Sequence, residues 1–89
     1  MEADQFQLRT LTEKIIGCAY EVSNQLGAGF VEKVYENALT FELKQAGLDV
    51  RQQQGMTVSY KGAAVGEYIS DMLVEGNVLV ELKAVKALD

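Results

Sequence analysis

Three residues near the end of this 89-residue chain have the types and spacing needed to hold a metal ion and act beside it. Glu81 and Lys83 are two residues apart, so on a strand they project from the same face. Asp71 lies on the preceding predicted strand. Carboxylate oxygens suit Mg²⁺ or Mn²⁺, and the Lys83 ammonium could orient a water or stabilise developing negative charge.

Whether the two carboxylates meet depends on the register of the hairpin that carries them. A turn centred on Gly76 places Asp71 directly opposite Glu81, with Cβ atoms about 4.5–5.5 Å apart. A two-residue Gly76-Asn77 turn instead pairs Asp71 with Leu82 and puts the acid on the other face. The apolar runs on both sides are typical of central strands covered on both faces. The alternative is an exposed edge strand whose charges are merely solvated.

Composition excludes several other kinds of site. The chain has no histidine, which rules out a Ser-His-Asp triad, a Cys-His pair and a His-ligated metal. Its single cysteine, Cys18, excludes an internal disulfide framework. The net charge of −5 argues mildly against nucleic acid, unless acids gather round a metal ion. We see no membrane span and no signal peptide, so we expect no membrane partner and take a cytoplasmic location as the default.

Apolar periodicity predicts the elements that position these residues. A stripe from Leu8 to Leu26 predicts a helix over about 8–26, with Thr10 or Thr12 as its cap. A second stripe predicts a helix over about 30–46 that ends at Gly47.

After Gly47 the spacing of apolar residues changes to every second position. Alternation at 56–60, a Lys61-Gly62 turn, and runs at 64–74 and 77–85 predict three strands. The expected fold is therefore α+β, with two N-terminal helices packed on a three-stranded, mainly antiparallel sheet.

Two parts of the sequence resemble one known family. The segment Gly29 to Tyr35 matches the GxxExxY signature letter for letter, and the segments Asp71 to Glu75 and Val80 to Ala84 resemble the family's C-terminal half. From about Leu11 to Leu88, the chain resembles the GxxExxY family, a branch of the PD-(D/E)xK nuclease superfamily. One departure is Ser70, which stands where the superfamily's name has proline. The resemblance implies a single domain over residues 1–89 with a truncated restriction-endonuclease-like core.

The resemblance also implies roles for individual residues. Asp71, Glu81 and Lys83 would be the catalytic residues of a phosphodiesterase site. Asp71 and Glu81 would ligate Mg²⁺ or Mn²⁺, and the main-chain carbonyl of Leu82 would lie near the ion. Glu32, the motif glutamate, would be a further ligand. Alternatively, Glu32 only interacts with the positive end of its helix dipole.

Four further residues have lesser expected roles. Glu36 and Glu21 are further candidate metal ligands, ranked after Glu32. We expect Tyr35 to pack in the core with its hydroxyl bonded, and Cys18 to be a small buried residue.

Family members usually continue with another helix and strand after the ExK strand, whereas this sequence stops at Asp89. We expect that shortened layout to leave a sheet face and an edge uncovered. Pairing with a second copy would cover them, which predicts a homodimer or a higher homo-oligomer.

Two functions are therefore considered, and a plain α+β scaffold with solvated surface charges is the third alternative. The first is a divalent-metal-dependent nuclease-like protein that hydrolyses nucleic-acid phosphodiester bonds, with DNA or RNA as its partner. The second is a catalytically inactive nuclease-fold remnant that acts as an oligomeric interaction module. The Asp71, Glu81 and Lys83 set favours the first function. The acidic charge, the few bases and the shortened ending favour the second.

Overall fold

Two helices precede three strands in the part of the chain that the structure describes. This computed structural model describes the backbone of residues 2–83 and the side chains of residues 7–83. Its elements are α1 (Glu2–Leu26), α2 (Glu32–Gln45), β1 (Val50–Tyr60), β2 (Ala63–Val74) and β3 (Val78–Val80). The strands form one antiparallel sheet in the order β1-β2-β3. The predicted α+β fold is confirmed.

Helix α1 begins earlier than its apolar stripe predicted. It runs from Glu2, so Thr10 and Thr12 lie inside the helix, and the prediction that either caps its start is wrong. It ends at Leu26 because Gly27 has a φ of 71°, a left-handed conformation that glycine adopts without a Cβ clash. In the described residues, no helix has the length and apolar character needed to cross a membrane.

Helix α2 lies within its predicted limits and ends at the predicted glycine. Gly47 has a φ of 86°, and the N–H of Leu48 donates to the carbonyl of Leu43 at 3.0 Å. This bond from beyond the helix end satisfies a carbonyl that the helix leaves without a partner. The chain then turns directly into β1.

The core lies between the two helices and one end of the sheet. Apolar side chains from both helices meet side chains of the first two strands, and this burial is the main favourable contribution to folding. The buried set consists of Leu11, Ile15, Val22, Leu39, Leu43, Val50, Met72 and Val74.

The strands differ from the prediction at two ends. β1 starts at Val50 rather than Met56, whereas β2 starts within one residue of its predicted limit. β3 ends at Val80, so the prediction of a strand through 81–83 is wrong. Ala84 and Val85 lie outside the described residues.

The register of the β2–β3 hairpin is the one that a turn centred on Gly76 requires. Met72 pairs with Val80 and Val74 with Val78. Continuing this register by one residue places Asp71 opposite Glu81, and the alternative pairing of Asp71 with Leu82 is excluded.

Of the two alternatives for these apolar runs, the structure favours the edge strand. Among the described strands β3 lies at an edge, and residues 57–69 at the far end of the β1–β2 hairpin are all exposed. The predicted Lys61-Gly62 turn is confirmed, with positive φ at both residues as a two-residue hairpin loop requires.

Candidate metal centre

Asp71 lies where β3 stops pairing with β2. The last ladder pair is Met72 with Val80, and beyond it the N–H of Leu82 donates to Asp71 Oδ2 at 2.8 Å. A side-chain carboxylate therefore holds the chain where the backbone ladder ends. This places the half-buried Asp71 beside the segment that carries Glu81 and Lys83.

Glu81 is held by a residue that the sequence analysis did not single out. The hydroxyl of Tyr68 donates a hydrogen bond to Glu81 Oε1. This bond is the main reason that the pKa of Tyr68 is raised; desolvation and the negative charges of Glu81 and Asp71 raise it further. Tyr68 and Asp71 thus contact two consecutive residues, Glu81 and Leu82.

Each of these two carboxylates offers an oxygen for a further ligand. Among the described residues, Asp71 Oδ1 and Glu81 Oε2 have no hydrogen-bond partner, while the second oxygen of each accepts from a donor. Carboxylates that ligate metals are themselves oriented by such donors. Mg²⁺ is commonly bound by one or two carboxylates, with waters and phosphates completing its shell. The donor set therefore fits a small divalent cation.

The structure does not gather all the predicted ligands at one point. Glu32, Leu82 and Lys83 line an open cleft of about 970 Å³ between the helix connection and the end of the sheet. Asp71 and Glu81 are not among the described residues that line it. In the part of the chain that the structure describes, no group of three or more Asp, Glu, Cys or His side chains is placed to hold a metal. Leu82 connects the Asp71 and Glu81 pair to the cleft.

Glu36, and not the motif glutamate Glu32, is the buried acid of α2. It is only 5% exposed, and its Oε2 accepts from Gln52 Nε2 at 2.6 Å and from Lys33 Nζ at 3.1 Å. Its Oε1 accepts from Gln53 Nε2 at 3.1 Å. With both oxygens engaged, Glu36 connects α2 to β1 and offers no open oxygen to a metal. The apolar periodicity of α2 did not reveal that Glu36 is buried and bonded to β1.

The hydrogen bonds from β1 to Glu36 come from a place where the strand backbone is irregular. Gln53 has a φ of 53°, a left-handed conformation that is uncommon for a residue with a side chain. Gln52 pairs with Met72 and Gln54 with Ser70, but the Gln53 position between them has no pair. By register that position lies opposite Asp71. Glu36 therefore braces the sheet beside the candidate site.

The two residues predicted to be structural behave largely as expected. Tyr35 donates its hydroxyl hydrogen to the carbonyl of Gly27 at 2.6 Å and accepts from the N–H of Phe30 at 3.2 Å. This confirms a bonded hydroxyl and fixes the loop that lines the cleft. Cys18 is half-buried rather than fully buried, and it packs against the core. Burial and, secondarily, the charge of Glu42 raise its pKa.

The comparisons with known proteins give one match. A family model described as the PD-(D/E)XK nuclease superfamily matches residues 9–89. Searches of curated proteins and of solved structures find no match. The matched segment contains Glu32, Asp71 and the Glu81-to-Lys83 segment. It covers more than half of the chain, and this chain belongs to the PD-(D/E)XK nuclease superfamily.

Proposed function

We propose that this protein is a divalent-metal-dependent nuclease that hydrolyses nucleic-acid phosphodiester bonds, with Mg²⁺ or Mn²⁺ as its cofactor. Membership of the superfamily supports a nuclease-like function in general. The observation that carries the finer proposal is the pair of neighbouring carboxylates, Asp71 and Glu81, each oriented by one donor and each with one open oxygen.

The proposed site assigns a separate task to each residue. Asp71 Oδ1, Glu81 Oε2 and the carbonyl of Leu82 would hold the ion. When bound, the ion supplies Lewis-acid polarisation of the scissile phosphoryl group. Lys83 is exposed and lines the cleft, so its ammonium can attract a phosphate and offset the negative charge that develops there. Glu32 lines the same cleft and is a second-choice ligand.

The charge of the chain supports a role for the cation in substrate binding. With a net charge of −5, the protein repels a polyanion at long range, and the two carboxylates add to that repulsion locally. A bound divalent ion reverses the sign of the charge at this point. We therefore expect nucleic acid to bind measurably more tightly when Mg²⁺ or Mn²⁺ is present.

A cleavage assay with matched variants tests the proposal. Wild type, Asp71→Asn and Lys83→Ala are incubated with DNA and RNA, each single-stranded and duplex, in Mg²⁺ or Mn²⁺. We expect wild type to cleave at least one substrate, and each variant to lose about 100-fold or more of that rate. Asp49→Asn is the control, because Asp49 is exposed and pairs with Arg51. Wild-type cleavage that persists in Asp71→Asn, or cleavage of no substrate, would contradict the proposal.

The second candidate, a non-catalytic module that assembles with itself, is favoured by the uncovered hairpin. Its large exposed hydrophobic side chains are Val58, Tyr60, Val65, Tyr68 and Ile69. Large exposed apolar patches mark interaction sites. This candidate predicts a homodimer or larger assembly together with an inactive wild type. A monomer by light scattering at micromolar concentration would contradict it.

A further inference from the structure

We infer that Tyr68 is a positioning residue for the metal centre, and that its hydroxyl orients Glu81 so that one carboxylate oxygen faces the ion. The inference rests on the proposed function, because it concerns the same site. Tyr68 lies on β2, outside both the GxxExxY signature and the ExK segment.

Side chains, rather than the backbone ladder, hold the segment after β3. Backbone pairing of β3 ends at Val80, so residues 81–82 are tied to β2 by side chains instead. Asp71 accepts the N–H of Leu82, and Tyr68 donates to Glu81. Tyr68 and Asp71 are three residues apart, about 10 Å along a strand. Asp71 thus holds the backbone of this short segment, and Tyr68 holds the Glu81 side chain.

The donor to Glu81 is a neutral hydroxyl. If the β2–β3 register continued by one residue, Glu81 would lie opposite Asp71, and like charges directly opposite each other repel. Without a partner, the exposed Glu81 side chain would sample rotamers that point away from Asp71. A phenol hydroxyl holds Oε1 without neutralising the carboxylate, unlike an ammonium. The bond therefore engages Oε1 and leaves Oε2 for a cation.

Tyr60 provides a matched control on the same hairpin. It is 62% exposed and Tyr68 is 41% exposed, so neither phenol is part of the buried core. The ring of Tyr60 lies 5.4 Å from the Nζ of Lys61, and its hydroxyl has no hydrogen-bond partner among the described residues. Removing either hydroxyl should leave the fold intact, but only Tyr68→Phe removes the bond to Glu81.

The experiment measures binding of Mn²⁺ alone, without substrate. Calorimetric titration into wild type, Tyr68→Phe and Tyr60→Phe should give an affinity about 10- to 100-fold weaker in Tyr68→Phe, the range typical for loss of an orienting partner. Tyr60→Phe should match wild type. In a second measurement, paramagnetic Mn²⁺ should broaden the Tyr68 ring resonances of wild type more strongly than those of Tyr60, and this difference should be lost in Glu81→Gln.

The outcomes separate this inference from the proposed function. Mn²⁺ binding that is abolished by Asp71→Asn but unchanged by Tyr68→Phe would overturn the role of Tyr68 and leave the metal centre standing. Absence of binding to wild type would overturn both. A weaker affinity in Tyr68→Phe with an unchanged urea midpoint of unfolding would support orientation of Glu81 rather than a structural role.

Discussion

Replacing Glu36 with alanine should lower the free energy of unfolding by about 2–4 kcal/mol. Its buried carboxylate accepts amide hydrogens from Gln52 at 2.6 Å and Gln53 at 3.1 Å. Hydrogen bonds to a charged group contribute about 1.5–3 kcal/mol each. Removing the carboxylate also relieves the cost of burying its charge, so the net loss is smaller than two full bonds. The ion pair with Lys33 adds little, since the Lys33 side chain is 58% exposed.

Urea unfolding followed by circular dichroism at a fixed protein concentration measures this loss. Lys33→Ala is the matched control, because it removes only the exposed ion pair and should cost less than about 1 kcal/mol. Glu36→Gln keeps the volume but replaces one acceptor oxygen with a donor, so it should fall between wild type and Glu36→Ala. The reasoning is refuted if Glu36→Ala lies within about 0.5 kcal/mol of wild type, the range of an ordinary surface substitution, or if Lys33→Ala costs as much.

Two further predictions concern tyrosine hydroxyls. The phenol of Tyr68 should titrate above the usual pKa of about 10, because its bond to Glu81 favours the protonated form. Its contribution to stability is present below pH 10 or so and is lost as the pH rises through the raised pKa. The absorbance titration of wild type minus Tyr68→Phe isolates this group, and a value at or below the usual one would count against the contact. Tyr35→Phe should lower the free energy of unfolding by about 0.5–1.5 kcal/mol, because the bond to Gly27 is lost. The exposed Tyr20→Phe should have no effect, and equal stability of the two variants would contradict the role assigned to Tyr35.

The parts of the fold set by local chemistry could be predicted from the sequence. Gly47 ends α2 because the chain needs a left-handed residue there, and glycine adopts one without strain. Gly76 likewise sets the centre of the β2–β3 turn, and the turn sets the register. Of the two registers that the turn residues allowed, the structure has the one that, continued beyond Val80, would bring Asp71 opposite Glu81.

The remaining features depend on long-range contacts that no local pattern encodes. The left-handed Gln53 has no sequence signal, because that conformation is held by the bond to Glu36 on another element. Glu36 is buried although charged, since three donors from two elements surround it. The contact between Tyr68 and Glu81 lies beyond the end of β3 at Val80, whereas the apolar run at 77–85 had predicted a longer strand. Periodicity reports which face is apolar and does not report where pairing ends.

The most direct test of the metal centre is a calorimetric titration of Mn²⁺ into wild type, Asp71→Asn and the surface control Asp49→Asn. We expect wild type and Asp49→Asn to bind a metal ion with the same affinity and Asp71→Asn not to bind it. Binding that persists unchanged in Asp71→Asn, or absence of binding to wild type, would contradict a metal centre at Asp71 and Glu81.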